Sequence, residues 1–450
     1  MPEWHIDVSL VIAPDATLGA MISPVKRWCS GVLAASCAVT VLTLTTARGA
    51  AAPPACDPDS GGLKLPPGFC ALVVADDLGA ARHMAVAPNG DLYVSLMDGR
   101  GQTPGVVALR DTNGDGKMDV KERFGDKSST GIALRNDYLY VATTTSVERY
   151  KMTKGELKPA GPAEIVAGDL PLGRPHQDKG IAFDGKGSLY VNLGAPSNAC
   201  QAQDRRPKVP GQDPCPLLEK QGGIWRFDEN TVGQTQADGT RYATGMRQMP
   251  AITWHDAALY MAMNGRDQID TLWPDLFKAE DNVERPSETL YRVTPDMNVG
   301  WPYCFHDYVQ NTLLLNPEYG GDGKTVGRCA EFPTPIATFP PHSAPVDLMF
   351  YTGTQFPKRY QGGAFIAFHG SWNRSPMPQD GYNVTFQPFV GGKPSGKGEI
   401  FADGFAGKGP IMRQNDAVAR ADGVAQAPDG SLYIAESVKG RIWRVIYTGK

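Results

Sequence analysis

From residue 62 onward the hydrophobic positions of this chain keep returning to one phrase. An apolar stretch runs into a tight turn and then into alternating Leu-Tyr-Val. Copies centre on Asn89-Gly90-Asp91-Leu92-Tyr93-Val94, Asn136-Asp137-Tyr138-Leu139-Tyr140-Val141, Asp184-Gly185-Lys186-Gly187-Ser188-Leu189-Tyr190-Val191, Asp256-Ala257-Ala258-Leu259-Tyr260-Met261 and Asp429-Gly430-Ser431-Leu432-Tyr433-Ile434. Gly362-Gly363-Ala364-Phe365-Ile366 is a degenerate sixth copy. Asn or Asp followed by Gly supplies the positive φ angles of a short hairpin, and period-two alternation then sends Leu and Val to one face and Tyr to the other. Each phrase therefore predicts two antiparallel strands. The spacing leaves room for four strands per unit, and six such units around an axis predict an all-β, six-bladed β-propeller. An array of β-sandwiches is the alternative, and it explains a recurring phrase less well. Gly440-Arg441-Ile442-Trp443-Arg444-Val445 and Gly223-Ile224-Trp225-Arg226-Phe227 read as outer strands.

Composition agrees with many turns and short strands: 51 Gly and 37 Pro in 450 residues. No linker-like stretch divides residues 65–450, so residues 53–450 read as one propeller domain and residues 1–52 as an extension. That extension has an export pattern. Lys26-Arg27 precede an apolar run from Gly31 to Leu44, then small residues from Ala47 to Ala52, and Met21 is the more ordinary start. The expected location is outside the cytoplasm, periplasmic or secreted. An uncleaved segment acting as a membrane anchor is the alternative. Net charge is −4 with no basic block, which argues against nucleic-acid binding by bulk electrostatics.

Two of the eight cysteines, Cys29 and Cys37, fall in the export pattern. The other six come as close pairs. An oxidising compartment makes 56–70, 200–215 and 304–329 the simplest bridges, with buried free thiols as the alternative.

Four segments carry candidate chemistry. Asp111, Asn113, Asp115, Lys117 (through its carbonyl), Asp119 and Glu122 match the spacing of a calcium loop, with Gly116 at the sharp turn. A metal-free acidic turn is the alternative. His176 directly precedes a strand phrase and is a candidate base, although a lone histidine is more often a packing or surface residue. Arg247-Gln248 and Arg420 also precede strand phrases. The apolar run ending in His369-Gly370-Ser371-Trp372-Asn373-Arg374 delivers several polar groups at once. If these loops converge, the channel mouth holds Arg247, Arg374, Arg420 and His369, a cationic set suited to an anionic ligand. Salt bridging between neighbouring blades is the alternative.

These residues resemble the quinoprotein glucose/sorbosone dehydrogenase family, nearest to its L-sorbosone dehydrogenase type. The resemblance spans roughly residues 62–447. It rests on Leu65-Pro66-Pro67-Gly68-Phe69, His176, Gly245-Met246-Arg247, Asn298-Val299-Gly300-Trp301-Pro302, the His369–Arg374 cluster and Pro428-Asp429-Gly430. It implies a six-bladed propeller that uses pyrroloquinoline quinone (PQQ) and Ca²⁺ to oxidise a sugar or keto-aldose, passing electrons to an acceptor the sequence does not name. It assigns His176 as general base, and Arg247, Gln248, His369, Arg374 and Arg420 to the cofactor. Gly265 and Arg266 occupy the segment whose backbone carbonyls hold the cofactor's calcium. The pattern departs in three places. Ala195 stands where the family has an Asp that orients the base, with Asp178 as a substitute. His369 replaces a lysine, and Asp422 an arginine.

Two other functions fit a propeller. A lactonase needs a central metal held by several inward carboxylates and amides. A binding propeller needs no catalysis at all. A nicotinamide enzyme does not fit, since no Gly-x-Gly-x-x-Gly follows a strand and opens a helix.

Overall fold

The computed structural model describes residues 54–99 and 103–449. The export pattern, Cys29 and Cys37 lie outside the described residues. Pro53–Lys450 forms one compact unit. Six sheets follow one another along it. The first blade holds Ala80–Val86, Leu92–Met97, Gly105–Arg110 and Val120–Phe124. The second holds Ser129–Arg135, Tyr138–Thr143, Val147–Lys151 and Glu164–Gly168. The third holds Ile181–Phe183, Ser188–Leu193, Gly223–Asp228 and Thr240–Thr244. The fourth holds Ala251–His255, Ala258–Met263, Glu288–Val293 and Ala337–Phe339, and the fifth Pro345–Phe350, Ala364–His369, Tyr382–Gln387 and Glu399–Ala402. Ala421–Gln426, Leu432–Glu436 and Ile442–Tyr447 make the sixth, whose outermost strand is Phe69–Ala75 from the start of the unit. The second and third blades each add a short parallel edge strand, Gln234–Thr235 and Met297–Asn298. First strands contact one another in a closed circle around the axis. This is the expected six-bladed propeller.

The Leu-Tyr-Val phrase encodes how blades pack. It falls on the second strand of each blade. Its two faces are not core and solvent, because both are buried between neighbouring blades. Tyr93 packs with Leu139 and Val141, Tyr140 with Leu189 and Val191, and Tyr190 with Leu259 and Met261. Tyr260 packs with Ile366, Phe365 with Leu432, and Tyr433 with Leu92 and Val94, which closes the circle. Each aromatic ring of one blade thus fills the aliphatic face of the next.

Close approach at the axis requires glycine. A Cβ on Gly180 would stand 1.9 Å from the Pro250 carbonyl oxygen, and one on Gly423 would stand 2.3 Å from that of Arg82. First strands are also bulged near the same end. Pairing slips between Ala81 and Met84, Ser129 and Ile132, Pro345 and Asp347, and Ala421 and Gly423. Bulges re-aim side chains. Here they free Arg82, His83 and Asp422 for a network at the axis, in which Arg82 donates to Asp422 at 2.5 Å and His83 Nε2 meets the Val346 carbonyl at 2.8 Å.

All three expected disulfides form, Cys56–Cys70, Cys200–Cys215 and Cys304–Cys329, with Cα separations of 5.9, 6.1 and 5.8 Å. Among the described residues no helix is long and apolar enough to cross a membrane.

The Asp111–Asp119 loop joins the two outer strands of the first blade. Its side chains cap its own turns. Asp111 accepts from the Gly114 and Gly116 amides, Asn113 from the Asp115 amide, Asp115 from the Lys117 amide, and Asp119 from the Thr112 amide and hydroxyl. Glu122 departs from the expected closure of this loop. It pairs opposite Ala108 in the outermost strand, and its carboxylate accepts from Lys158 Nζ at 2.9 Å.

Two predictions follow from this architecture. Gly180→Ala forces a contact no relaxation of one side chain relieves, so it should destabilise by more than about 2 kcal/mol in chemical unfolding. A near-neutral result would mean that the first strands do not approach this closely. Replacing Asp111 and Asp115 together by Ala should lower the melting temperature in calcium more than it lowers the turnover of folded protein. The opposite ratio would make the loop part of the reacting site.

Candidate active site

In an antiparallel blade the segment entering the first strand and the segment leaving the second lie at the same end. Those segments from the third, fourth and fifth blades converge on a cavity of about 290 Å³. Its wall includes His176, Asp178, Arg205, Arg247, Gln248, Asn264, Gly265, Asp267, Glu288, His342, His369, Trp372 and Asn373. A groove of about 550 Å³ lies elsewhere, between Tyr308, Phe339 and Ile400, but no histidine and no arginine face it. The smaller cavity is the one where titratable groups converge.

His176 sits on the loop before Ile181–Phe183, at 8 % exposure. The loop is braced by the buried Lys179 ammonium, which donates to the Pro171 carbonyl at 2.9 Å. Burial lowers this lysine to about 8. His176 Nδ1 lies 2.5 Å from the Ala195 carbonyl oxygen. A carbonyl only accepts, so Nδ1 carries the proton and Nε2 the lone pair. Among the described residues nothing hydrogen-bonds Nε2. Burial, reinforced by the nearby Arg247 guanidinium, pushes the imidazole down to about 3. His176 is therefore neutral at physiological pH and held in one tautomer. Ala195 does orient the histidine, through its backbone rather than its side chain. Asp178 lines the cavity but makes no hydrogen bond to His176.

Asp267 is the electrostatic hub. Its Oδ2 accepts from Arg247 at 2.6 Å and from Arg205 at 2.9 Å, and its Oδ1 from Asn373 at 3.0 Å. Asn198 grips its backbone from both sides, accepting from the amide and donating to the carbonyl, each at 2.9 Å. Burial alone would raise this carboxyl. Arg247, His342 and Arg205 outweigh it and hold the group well below the usual carboxylate range. Beside it Glu288 accepts from the Gly265 and Ala344 amides, at 2.8 and 3.1 Å, and burial pushes it up to about 7.

The expected cationic mouth is not what forms. Arg247 is neutralised by Asp267. Arg374 and Arg420 are absent from the cavity wall. Arg374 Nε donates to the Pro378 carbonyl, and Arg420 donates to the carbonyls of His369 and Gly370. Both brace the loop that leaves the fifth blade. His369 does reach the cavity, but burial, with Arg420 and Arg82 nearby, holds it well below its ordinary range, so it is uncharged. Its Nε2 lies 2.7 Å from Ser437 Oγ and 3.4 Å from Asp422. Asp422 pairs with Arg82 rather than facing a ligand, and burial raises it to about 6. Arg266 turns its side chain away, into a fully buried pair with Glu318 at 2.7 Å, while Gly265 lines the wall.

Sequence reasoning missed Arg205, Asp267, Glu288 and His342. Asp267 had a signal, since it follows the second strand of the fourth blade as His369 follows that of the fifth. Arg205, inside the Cys200–Cys215 loop, and His342 had none. Four buried polar atoms of cavity-wall residues have no hydrogen-bond partner among the described residues: Arg247 Nε, Gln248 Oε1, Asn264 Oδ1 and Asn373 Oδ1. Such atoms cost about 1–3 kcal/mol each unless a ligand or solvent meets them. They mark where a bound group with both acceptors and a cation would fit. Among the described residues no three His, Cys, Asp or Glu side chains converge as a metal cage.

A pH prediction comes from His176. Its folded value lies below its unfolded one, so unfolding takes up a proton between about pH 6.5 and 3. Its contribution to stability is complete above that window and is lost as the pH falls through it. His176→Gln should flatten the acid limb of melting temperature against pH relative to the wild type. Parallel limbs would show that His176 is not buried in the neutral form.

Comparison with known proteins gives the family. The description TrAA12-like matches residues 63–448. An uncharacterised protein of Borreliella burgdorferi is 29% identical over 318 residues, 69% of this chain and 71% of that protein. A pyrroloquinoline quinone-dependent pyranose dehydrogenase of Coprinopsis cinerea is 29% identical over 132 residues, 26% of this chain and only 17% of that protein. The calcium structure of a Trichoderma reesei carbohydrate-active enzyme of family AA12 superposes with a TM-score of 0.69 at 17% identity, covering 86% of this chain and 97% of that one. The holo PQQ domain of the Coprinopsis cinerea pyranose dehydrogenase superposes with a TM-score of 0.66 at 15% identity, over 85% of this chain and 97% of that one. At such identities the structural likeness is one of fold. The match over nearly the whole propeller goes further: this chain belongs to the TrAA12-like family.

Proposed function

We propose that this protein is a quinoprotein sugar dehydrogenase, with His176 as its base. One observation carries the reading. A neutral histidine is locked by the Ala195 carbonyl so that an unpartnered Nε2 is presented on the wall of a polar cavity. The family, and the PQQ-dependent dehydrogenases that share the fold, support it.

The residues present fit PQQ and Ca²⁺. Arg247 Nε is a donor without an acceptor, as a carboxylate-bearing ligand requires, and the orphaned oxygens of Gln248, Asn264 and Asn373 suit a cation or a donor. Arg205, Arg247 and Gln248 would hold the cofactor, with neutral His369 as a hydrogen-bonding neighbour and the carbonyls of the Gly265–Arg266 segment toward the ion. Arg374 and Arg420 belong to the loop scaffold instead. When bound, PQQ supplies a two-electron hydride acceptor and Ca²⁺ a Lewis acid beside it. His176 Nε2 takes the hydroxyl proton of a sugar, or of a keto-aldose of the L-sorbosone kind in its cyclic or hydrated form. Nδ1–H stays on Ala195 throughout, so the imidazolium that forms keeps its orientation. A carboxylate-bearing ligand near Arg247 also offsets that guanidinium and makes Nε2 more basic than in the bare cavity. Three disulfides support an exported protein, whose electron acceptor would be met outside the cytoplasm.

The test is to load the exported protein with PQQ and Ca²⁺ and follow dye reduction with aldoses, L-sorbosone and lactones. Sugar-dependent reduction that needs PQQ is expected. Lactone hydrolysis without PQQ would overturn the reading. His176→Ala should lower turnover by roughly two to four orders of magnitude with PQQ affinity largely intact. Arg247→Ala should chiefly weaken PQQ binding, by roughly ten-fold or more. Near-full turnover in His176→Ala would remove His176 as the base.

A further inference from the structure

Trp372 is the anomaly of the cavity. The wall carries many polar and charged side chains, and on it this indole is 47% exposed. A tryptophan that serves packing is buried, as Trp225, Trp301 and Trp443 are. Leaving so large an apolar ring in water is unfavourable unless something covers it.

Its backbone leaves it little freedom. Ser371, just before it, is buried. The Ser371 hydroxyl donates to Gln379 at 2.9 Å, its amide to the Asp380 carbonyl at 2.9 Å, and its carbonyl accepts from the Tyr382 hydroxyl at 2.7 Å. Asn373, just after it, donates to Asp267, and its carbonyl accepts from Asn282 at 2.8 Å. Arg205, itself fixed to Asp267, lies with its guanidinium carbon 5.7 Å from the indole centroid. An exposed ring held on both sides and pinned by a cation is pre-organised, so binding against it costs little ordering entropy.

We propose that Trp372 is the platform on which the ring of a cyclic sugar lies at the cavity mouth, and that it selects ring-form saccharides over open-chain aldehydes. A pyranose has an apolar C–H face and a hydroxyl rim. The indole matches the face. The Arg205 guanidinium lies beside it for the rim. A short open-chain aldehyde has no such face and gains nothing from the platform. This rests on the dehydrogenase reading for the reaction, but not for the binding.

Two measurements separate those layers. The first is calorimetric binding of non-reducing methyl pyranosides of the common hexoses to the protein without PQQ. Wild type should bind at least one of them. Trp372→Ala should weaken that binding by roughly ten-fold or more, and Trp372→Phe should restore most of it. The second uses the PQQ-loaded enzyme. Trp372→Ala should raise KM for an aldopyranose by a similar factor, leave kcat within about three-fold, and leave KM for glyceraldehyde unchanged. Platform binding without any sugar oxidation would sink the dehydrogenase reading and keep this one. The proposal is overturned if wild type binds no pyranoside, if glyceraldehyde loses as much as the pyranose, or if the main effect of Trp372→Ala is weaker PQQ binding.

Discussion

The fold depends on one repeated contact, the aromatic ring of each second strand seated in the aliphatic face of the next blade. Burying such a ring contributes on the order of 1.5–3 kcal/mol, and it does so six times around a circle with no free end. A blade alone would expose both faces of its second strand. Only a neighbour on each side satisfies it, so the sheets are stable as a ring. The ring in turn defines an axis. At that axis the first strands come so close that glycine is required at Gly180 and Gly423, and bulges turn polar side chains inward.

A site built there begins with a problem of charge. Arg205 and Arg247 are brought into a confined space, and Asp267 balances them. The result is a cavity with strong local dipoles and little net charge. Burial, with the Arg247 guanidinium nearby, leaves His176 neutral rather than protonated.

Much of the fold was legible because it is written in local pattern. Leu-Tyr-Val with a turn before it marks a pair of strands wherever it falls, and three close cysteine pairs can bridge with little rearrangement. His176 and Arg247 were legible because they precede strand phrases, a position that topology fixes at the channel end. The residues that sit elsewhere than expected share a physical cause. Arg374 and Arg420 hold the right place in the chain, but backbone carbonyls left open by a sharply turning loop capture their guanidinium groups. Ala195 was dismissed on its side chain while its carbonyl did the orienting. Glu122 fits the spacing of a calcium loop, yet strand pairing delivers it to Lys158. Sequence reports which groups are available. It does not report which of them the backbone claims first.

The last strand position of the sixth blade belongs to the beginning of the propeller, where Phe69 pairs with Tyr447. Consider this from the side of the growing chain. Phe69–Ala75 emerges early and has no strand partner until Ile442–Tyr447 has been made. Among the described residues the seam is the most distant strand pairing, and contacts of high sequence separation are slow to form. The ring therefore cannot close before its last strand arrives. Closure, and with it the assembled cavity, is deferred until Ile442–Tyr447 has been made.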